Sequence, residues 1–256
     1  MIHWLSYKMG STCSSNRKSS PEEIARGLVG PYQPSSVRIF SLDGNIGVGK
    51  TTLLKQIAER FPQIIIVREP VDIWTDLKNP DGSNLLELFY ADKKRWAYTF
   101  QTAAFLSRLK LVKDALATAL AVAKPGQIIL TERSVLTDRY VFAEMLRAQG
   151  IMSDIEWTLY TSWFDTFATG LPIRGIIHID TSVETALSRI KGRGRDGEGG
   201  IESAYLTDLD AQHKTWLKQT KLPVLTISTE VNLDMDKELD KLNVWFLDNR
   251  IEYVVL

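Results

Sequence analysis

Eight consecutive residues restrict what this chain can fold into more than any others: Gly44-Asn45-Ile46-Gly47-Val48-Gly49-Lys50-Thr51. They fit G-x-x-x-x-G-K-[ST]. An apolar, β-branched run, Val37-Arg38-Ile39-Phe40-Ser41-Leu42, precedes them, and a helical pattern from Leu53 to Arg60 follows. Strand, loop and helix in that order form a cradle for phosphate. Glycines reach backbone angles closed to other residues, so successive N–H groups can turn inward onto phosphate oxygens. The N-terminus of the next helix adds a favourable field for negative charge. Lys50 is then placed for the β- and γ-phosphates and the Thr51 hydroxyl for Mg²⁺. The segment Gly44 to Thr52 is expected to bind a nucleoside triphosphate.

Composition narrows the setting. The chain has 256 residues, 44% of them hydrophobic, enough for one large α/β domain with a sizeable core. Its 31 basic and 31 acidic residues cancel, so no global charge favours nucleic acid or a membrane surface, and neither is expected as a partner. Cys13 is the single cysteine, which excludes an intrachain disulfide and a Cys-rich metal site. No run approaches the length of a transmembrane helix. A soluble protein of a reducing compartment, the cytoplasm, is the expectation. Mitochondria are the alternative, since the first twenty residues carry no acid, although they hold only Arg17 of the arginines a transit peptide needs.

Residues 1–36 read as a disordered tail. Ser11 to Ser20 is rich in Ser, Lys and Arg, and Pro21, Pro31 and Pro34 interrupt any helix. Met9-Gly10-Ser11-Thr12-Cys13-Ser14 fits an acylation pattern that could act only if translation began at Met9 or the tail were cut there. From Val37 onward, strands and helices alternate. The strands expected after the first are Ile64–Arg68, Gln127–Thr131, Gly175–Ile179 and Val224–Ser228. The longest helix is expected from Lys93 to Ala123, its core stripe being Trp96, Phe100, Ala103, Leu106, Leu109, Val112, Leu116 and Leu120. Further helices are expected over 136–148, 154–168, 183–191, 202–219 and 235–247. Short apolar strands of this kind suit a parallel sheet covered on both faces, hence a doubly wound α/β fold with its site beyond the carboxyl ends of the strands.

Those strand ends carry chemistry. The second leaves Glu69 at the rim in Arg68-Glu69-Pro70, where a carboxylate could accept the proton of an attacking hydroxyl. The third closes on Glu132-Arg133-Ser134: an acid able to help hold Mg²⁺, and an arginine able to steady a transferred phosphoryl group or orient Glu69. On the long helix Gln101, Ala104 and Arg108 share one face, as a nucleobase pocket would require. Asp138 could hold Arg108 by a charge-assisted bond, and Phe100 and Phe142 could pack against the base. Between Arg189 and Gly200, glycines alternate with Arg193, Arg195 and Glu198, the composition of a loop that closes over phosphates. His178 reads as a core residue, Trp157 and Trp163 as helix packing, and His3 and His213 show no metal-ligand spacing.

Together these motifs resemble the cellular deoxynucleoside kinases, in particular their deoxycytidine and deoxyguanosine kinase branch. The resemblance covers Val37 to the C-terminus. It rests on the phosphate loop, Arg68-Glu69-Pro70 with Trp74, and Arg95-Trp96-Ala97-Tyr98-Thr99-Phe100-Gln101-Thr102. It continues through Leu106-Ser107-Arg108, Glu132-Arg133-Ser134, Asp138-Arg139-Tyr140 and Arg193-Gly194-Arg195. It implies five parallel strands wrapped by helices, a homodimer, residues 37–256 as one kinase domain, and transfer of the ATP γ-phosphoryl group to a deoxynucleoside 5′-hydroxyl. It further implies Glu69 as general base, Arg133 beside that hydroxyl and Glu132 as the metal-associated acid. Gln101 would pair with the base, with Trp74, Phe100, Ala104 and Phe142 on the substrate side. Tyr90 and Glu198 would hold the sugar 3′-hydroxyl, Arg193 and Arg195 would act as lid arginines, and Arg189 would lie near the adenine. Arg108 and Asp138 match the charged pair of the cytosine- and purine-accepting branch. Asp138-Arg139-Tyr140 also resembles a motif of nucleoside-monophosphate kinases, the nearest alternative. A nucleotide-switched binding protein would need an N-K-x-D motif, which the sequence lacks.

Overall fold

The computed structural model describes residues 37–122, 126–194, 200–230 and 234–249. The apolar run around Phe40 becomes strand β1, Val37–Gly44, with every residue buried. It can be so because it is the central strand of a five-stranded sheet ordered β2-β3-β1-β4-β5, with β2 Ile65–Val67, β3 Gln127–Glu132, β4 Ile173–Asp180 and β5 Val224–Ser228. All four pairings are parallel. Parallel strands need crossovers, and helices supply them on both faces. In chain order these are α1 Lys50–Arg60, α2 Val71–Asp76, α3 Leu85–Ala91, α4 Lys93–Val122, α5 Val135–Thr137, α6 Glu144–Ala148, α7 Asp154–Phe167, α8 Val183–Arg193, α9 Ser203–Gln219 and α10 Met235–Asp248. A π-helical turn, Asp138–Ala143, joins α5 to α6. The doubly wound α/β architecture is as expected.

Register fixes what meets at the sheet's carboxyl edge. Val67 lies opposite Thr131, so Glu69 and Arg133, each two residues farther on, emerge side by side. Leu42 lies opposite Glu132, which brings the start of the phosphate loop to the same rim. Beneath it, Phe40, Leu54, Ile57, Leu130, Ile177 and Phe246 form the main core. A second cluster packs Trp74, Leu86, Phe89, Phe100 and Leu146 between α2, α3 and α4.

Two expectations are corrected. The stripe on α4 is rotated: Phe100, Leu109, Val112 and Leu116 are buried, but Leu106 and Leu120 are exposed, and Ala97, Gln101, Ala104, Phe105 and Arg108 are buried instead. The inward face carries polar groups for the site, so apolar periodicity alone pointed to the wrong edge. Trp163 does not pack inward; it is exposed and stacks on Phe167 of its own helix. Helices α2 and α3 went unrecognised in the sequence because each is under two turns or close to it. The available signal for α3 was its capping box, in which Asn84 and Glu87 satisfy each other's backbone N–H groups.

The phosphate loop is fastened to α8 through a glycine. Gly47 has φ +81°, and a Cβ there would lie 2.4 Å from the Ala186 carbonyl oxygen. Backbone cannot yield that far. Gly47→Ala is expected to lower unfolding free energy by at least about 2 kcal/mol and to weaken triphosphate binding. Urea denaturation tests it; a loss under about 0.5 kcal/mol would mean the contact with α8 is dispensable.

Candidate active site

Beyond the carboxyl ends of the strands lies a cavity of about 560 Å³, within the range of small-molecule sites. The phosphate loop forms one end. Gly49, at φ 97°, caps α1, so the N-terminus of that helix opens into the cavity. Lys50 is buried and folds back on its own loop, donating to the Gly44 carbonyl at 3.1 Å and the Asn45 carbonyl at 2.6 Å. Burial and the nearby Arg133 lower its pKa to about 7, against the opposing pull of Glu69, Glu132 and Asp43. Thr51 Oγ1 donates to Glu132 Oε1 at 2.8 Å. A hydroxyl and a carboxylate in contact beside a phosphate loop form an oxygen donor set suited to Mg²⁺. Among the described residues no cluster of three His, Cys, Asp or Glu side chains that could hold a metal ion exists.

At the centre, Glu69 accepts from Arg133 Nη1 at 2.5 Å and from Arg108 Nη2 at 3.1 Å through the same oxygen. Burial would raise its carboxyl pKa, but the charges of Arg133 and Arg108 outweigh that and hold it at about 2. Arg108 is buried on α4. Its Nε donates to Asp138 at 2.8 Å and its Nη1 to the Glu132 carbonyl at 2.7 Å. Burial works against its charge, yet Asp138 and Glu69 raise its pKa above the usual arginine value. Arg133 adopts φ 59°, the one non-glycine residue with positive φ among the described residues. Its N–H donates to the Leu42 carbonyl, its guanidinium lies over the Phe142 ring at 5.0 Å, and its buried Nε has no hydrogen-bond partner among the described residues. A strained backbone at a charged cavity residue is a mark of function rather than of folding economy.

The far end is aromatic. Phe100 stacks on Phe89 with centroids 4.5 Å apart and meets Trp74 edge-on, and Trp74 Nε1 donates to Ser107. Gln101 is 1% exposed and lines this end beside Ala104. The π-helical turn brings Asp138 and Phe142 to the same wall. π-Turns inside helices commonly occur at such sites, and nothing in the residue pattern signals this one.

Ile46, Gly47, Gly49 to Thr52, Trp74, Tyr90 and Arg193 also line the cavity. Gly44 and Asn45 lie at the root of the loop, and Asn45 Nδ2 donates to the Leu206 carbonyl at 2.8 Å. Arg189 does not stand free over the loop: its guanidinium donates to the Val48 carbonyl and to Thr229, pinning the loop to the end of β5. Arg195 and Glu198 lie outside the described residues. Tyr205, in the first turn of α9, lines the cavity and was not singled out from sequence. Its position directly after the glycine-rich loop was the available signal. His178 is buried in β4, and His213 is buried with Nδ1 2.9 Å from the Leu209 carbonyl oxygen.

A sequence profile described as deoxynucleoside kinase matches residues 40–244. The chain belongs to the deoxynucleoside kinase family. Among its relatives, human deoxycytidine kinase is 35% identical over 87% of this chain and 94% of its own length. The mitochondrial deoxyguanosine kinase of Xenopus laevis is 32% identical over 81% and 87%. A probable deoxycytidine kinase of fowlpox virus is 37% identical over 74% and 77%. For a kinase of this family, the charge web at Glu69 sits where the phosphate end and the aromatic end of the cavity meet.

That web has a pH signature. A carboxyl depressed from its ordinary 4.5 to about 2 stabilises the fold fully above pH 4.5, and the contribution is lost as pH falls through 2. Glu69→Gln is therefore expected to cost about 3 kcal/mol at pH 7. Urea titrations from pH 7 to pH 3.5 should give a constant gap down to about pH 5 and a narrowing one below. A gap that widens on acidification would reverse the sign assigned to Glu69.

Proposed function

We propose that the chain transfers the γ-phosphoryl group of ATP to the 5′-hydroxyl of a deoxynucleoside, a salvage reaction yielding the 5′-monophosphate. The observation that carries this is Glu69, gripped by two arginines between a phosphate loop and an aromatic pocket with the Gln101 amide in its lining. Lys50, leaving its loop carbonyls, would bind the β- and γ-phosphates of the donor, with Arg193 and Arg195 closing from the lid. Thr51 and Glu132 would hold Mg²⁺, which when bound neutralises phosphate charge. Gln101 would read the base edge, Phe100, Phe142, Trp74 and Ala104 would shape its slot, and Tyr90 and Glu198 would take the sugar 3′-hydroxyl.

In the transfer, the acceptor oxygen bonds to phosphorus as the bond to the β-phosphate oxygen breaks. The hydroxyl proton goes to Glu69. A carboxylate held at about 2 is a feeble base towards a resting alcohol. Proton transfer is therefore late, once bonding to phosphorus has acidified the hydroxyl, as a loose transition state allows. Before that, Glu69 orients the oxygen. Arg133, with its Nε unpartnered, is available to the transferring group. Glu69→Ala should lower kcat by about 10²- to 10⁴-fold with ATP binding retained. Radiolabelled ATP offered with each of the four deoxynucleosides and their monophosphates measures this and the acceptor class together. The Arg108–Asp138 pair favours deoxycytidine, deoxyadenosine or deoxyguanosine; strong preference for thymidine would overturn that assignment. Phosphorylation of monophosphates alone would favour the nucleoside-monophosphate kinase alternative.

The kinase is further proposed to be a homodimer. Ile155, Leu159, Trp163 and Phe167 recur every fourth residue along α7 and are all exposed, and on α4 Leu106 and Leu120 are exposed as well. A continuous apolar helix face of this kind suits a second copy of itself. Light scattering on a Leu159→Glu, Trp163→Glu double variant should report a monomer and the wild type a dimer. Equal masses for the two would remove this face from the interface. Cytoplasmic residence is the assignment that the sparing use of cysteine supports, and imaging against a mitochondrial marker tests it.

A further inference from the structure

At the mouth of the acceptor end, one ammonium group joins three elements. Lys93, the first residue of α4, is half-buried, with its Nζ 5.8 Å from the ring centroid of Tyr90 on α3 and 5.2 Å from that of Tyr205 on α9. The two rings meet edge-on, with centroids 6.3 Å apart at 89°. Both rings line the cavity, whereas Lys93 does not. The electron-rich faces of two phenols share one cation, and the pair is thereby held together across the junction. On its other side the same turn of α9 is fastened to the donor loop, because the Leu206 carbonyl accepts from Asn45 Nδ2. Tyr205 and Leu206 thus form a strap between the two ends of the cavity, one end tied by an amide and the other by Lys93.

We infer that Lys93 is a positioning residue for the acceptor, acting through Tyr90 and Tyr205 to set the width of the pocket at the sugar end. The inference rests on the reading of this end as the deoxynucleoside site. Removing the charge weakens the hold between Tyr205 and Tyr90 to their edge-on contact alone, while leaving the Asn45 tie and the phosphate loop intact. The acceptor should feel the change and the donor should not.

The test is steady-state kinetics of Lys93→Met, which keeps the length of the side chain and removes its charge, with the deoxynucleoside that the wild type phosphorylates fastest. Acceptor KM is expected to rise about three- to fivefold, with kcat and the KM for ATP within about twofold of wild type. Lys93→Arg should restore the acceptor KM, since a guanidinium also binds aromatic faces. In a Tyr205→Leu background, Lys93→Met should have lost most of its effect, which is the mark of action through that ring. An unchanged acceptor KM, an equal rise in the KM for ATP, or a full effect without Tyr205 would each overturn the inference while the wild type remained active. A wild type that phosphorylates no deoxynucleoside would overturn the underlying reading and this inference with it.

Discussion

The active end of this protein hangs on one carboxylate shared by two arginines. Glu69 reaches the rim because β2 pairs with β3 in a register that sets it beside Arg133, and Arg108 reaches the same carboxylate from the middle of α4. Each partner is itself tied elsewhere: Arg108 to Asp138 and the Glu132 carbonyl, Arg133 to Leu42 and Phe142. The sheet edge, the long helix and the π-helical turn therefore cannot shift independently. Buried charge of this density is a poor way to gain stability, since desolvation consumes most of the attraction. Its return is a cavity whose walls stay in place before any ligand enters.

For the role proposed for Glu69, the same web sets two demands against each other. Two guanidinium groups that depress the Glu69 carboxyl also concentrate positive charge where three phosphate oxygens would pass. Electrostatic complementarity to the transferred group and basicity towards the hydroxyl are in opposition, and the geometry favours the former. That ordering fits phosphoryl transfer, in which little covalent work is left to the protein.

Much of this was legible in the sequence because it is local. The phosphate loop, the five strands and the acids and arginines at their ends lie in contiguous motifs, and alternation of apolar strands with helices dictates the sheet. What escaped depends on tertiary context. The inward face of α4 could not be read from apolar spacing, since Gln101 and Arg108 face inward and Leu106 outward. The left-handed backbone of Arg133 follows from its docking on Leu42, not from its own preference. Arg189 lines the cavity and also ties the loop to Thr229, a residue forty positions away, a contact that only the fold reveals. Tyr205 carries no motif; only the fold brings it opposite Tyr90.

The π-helical turn has a consequence for how this chain can vary. Within Asp138–Ala143 the Glu144 N–H reaches back to the Arg139 carbonyl, so the turn holds one residue more than an α-helix would. Side chains there can be exchanged without disturbing that count. Loss of a single residue would tighten the turn to α while the helix beyond it kept its facing, because a π turn absorbs its extra residue within one turn. The turn is thus a place where this helical stretch can change length by one residue without re-aiming α6, whereas Asp138 is fixed in identity by its bond to Arg108.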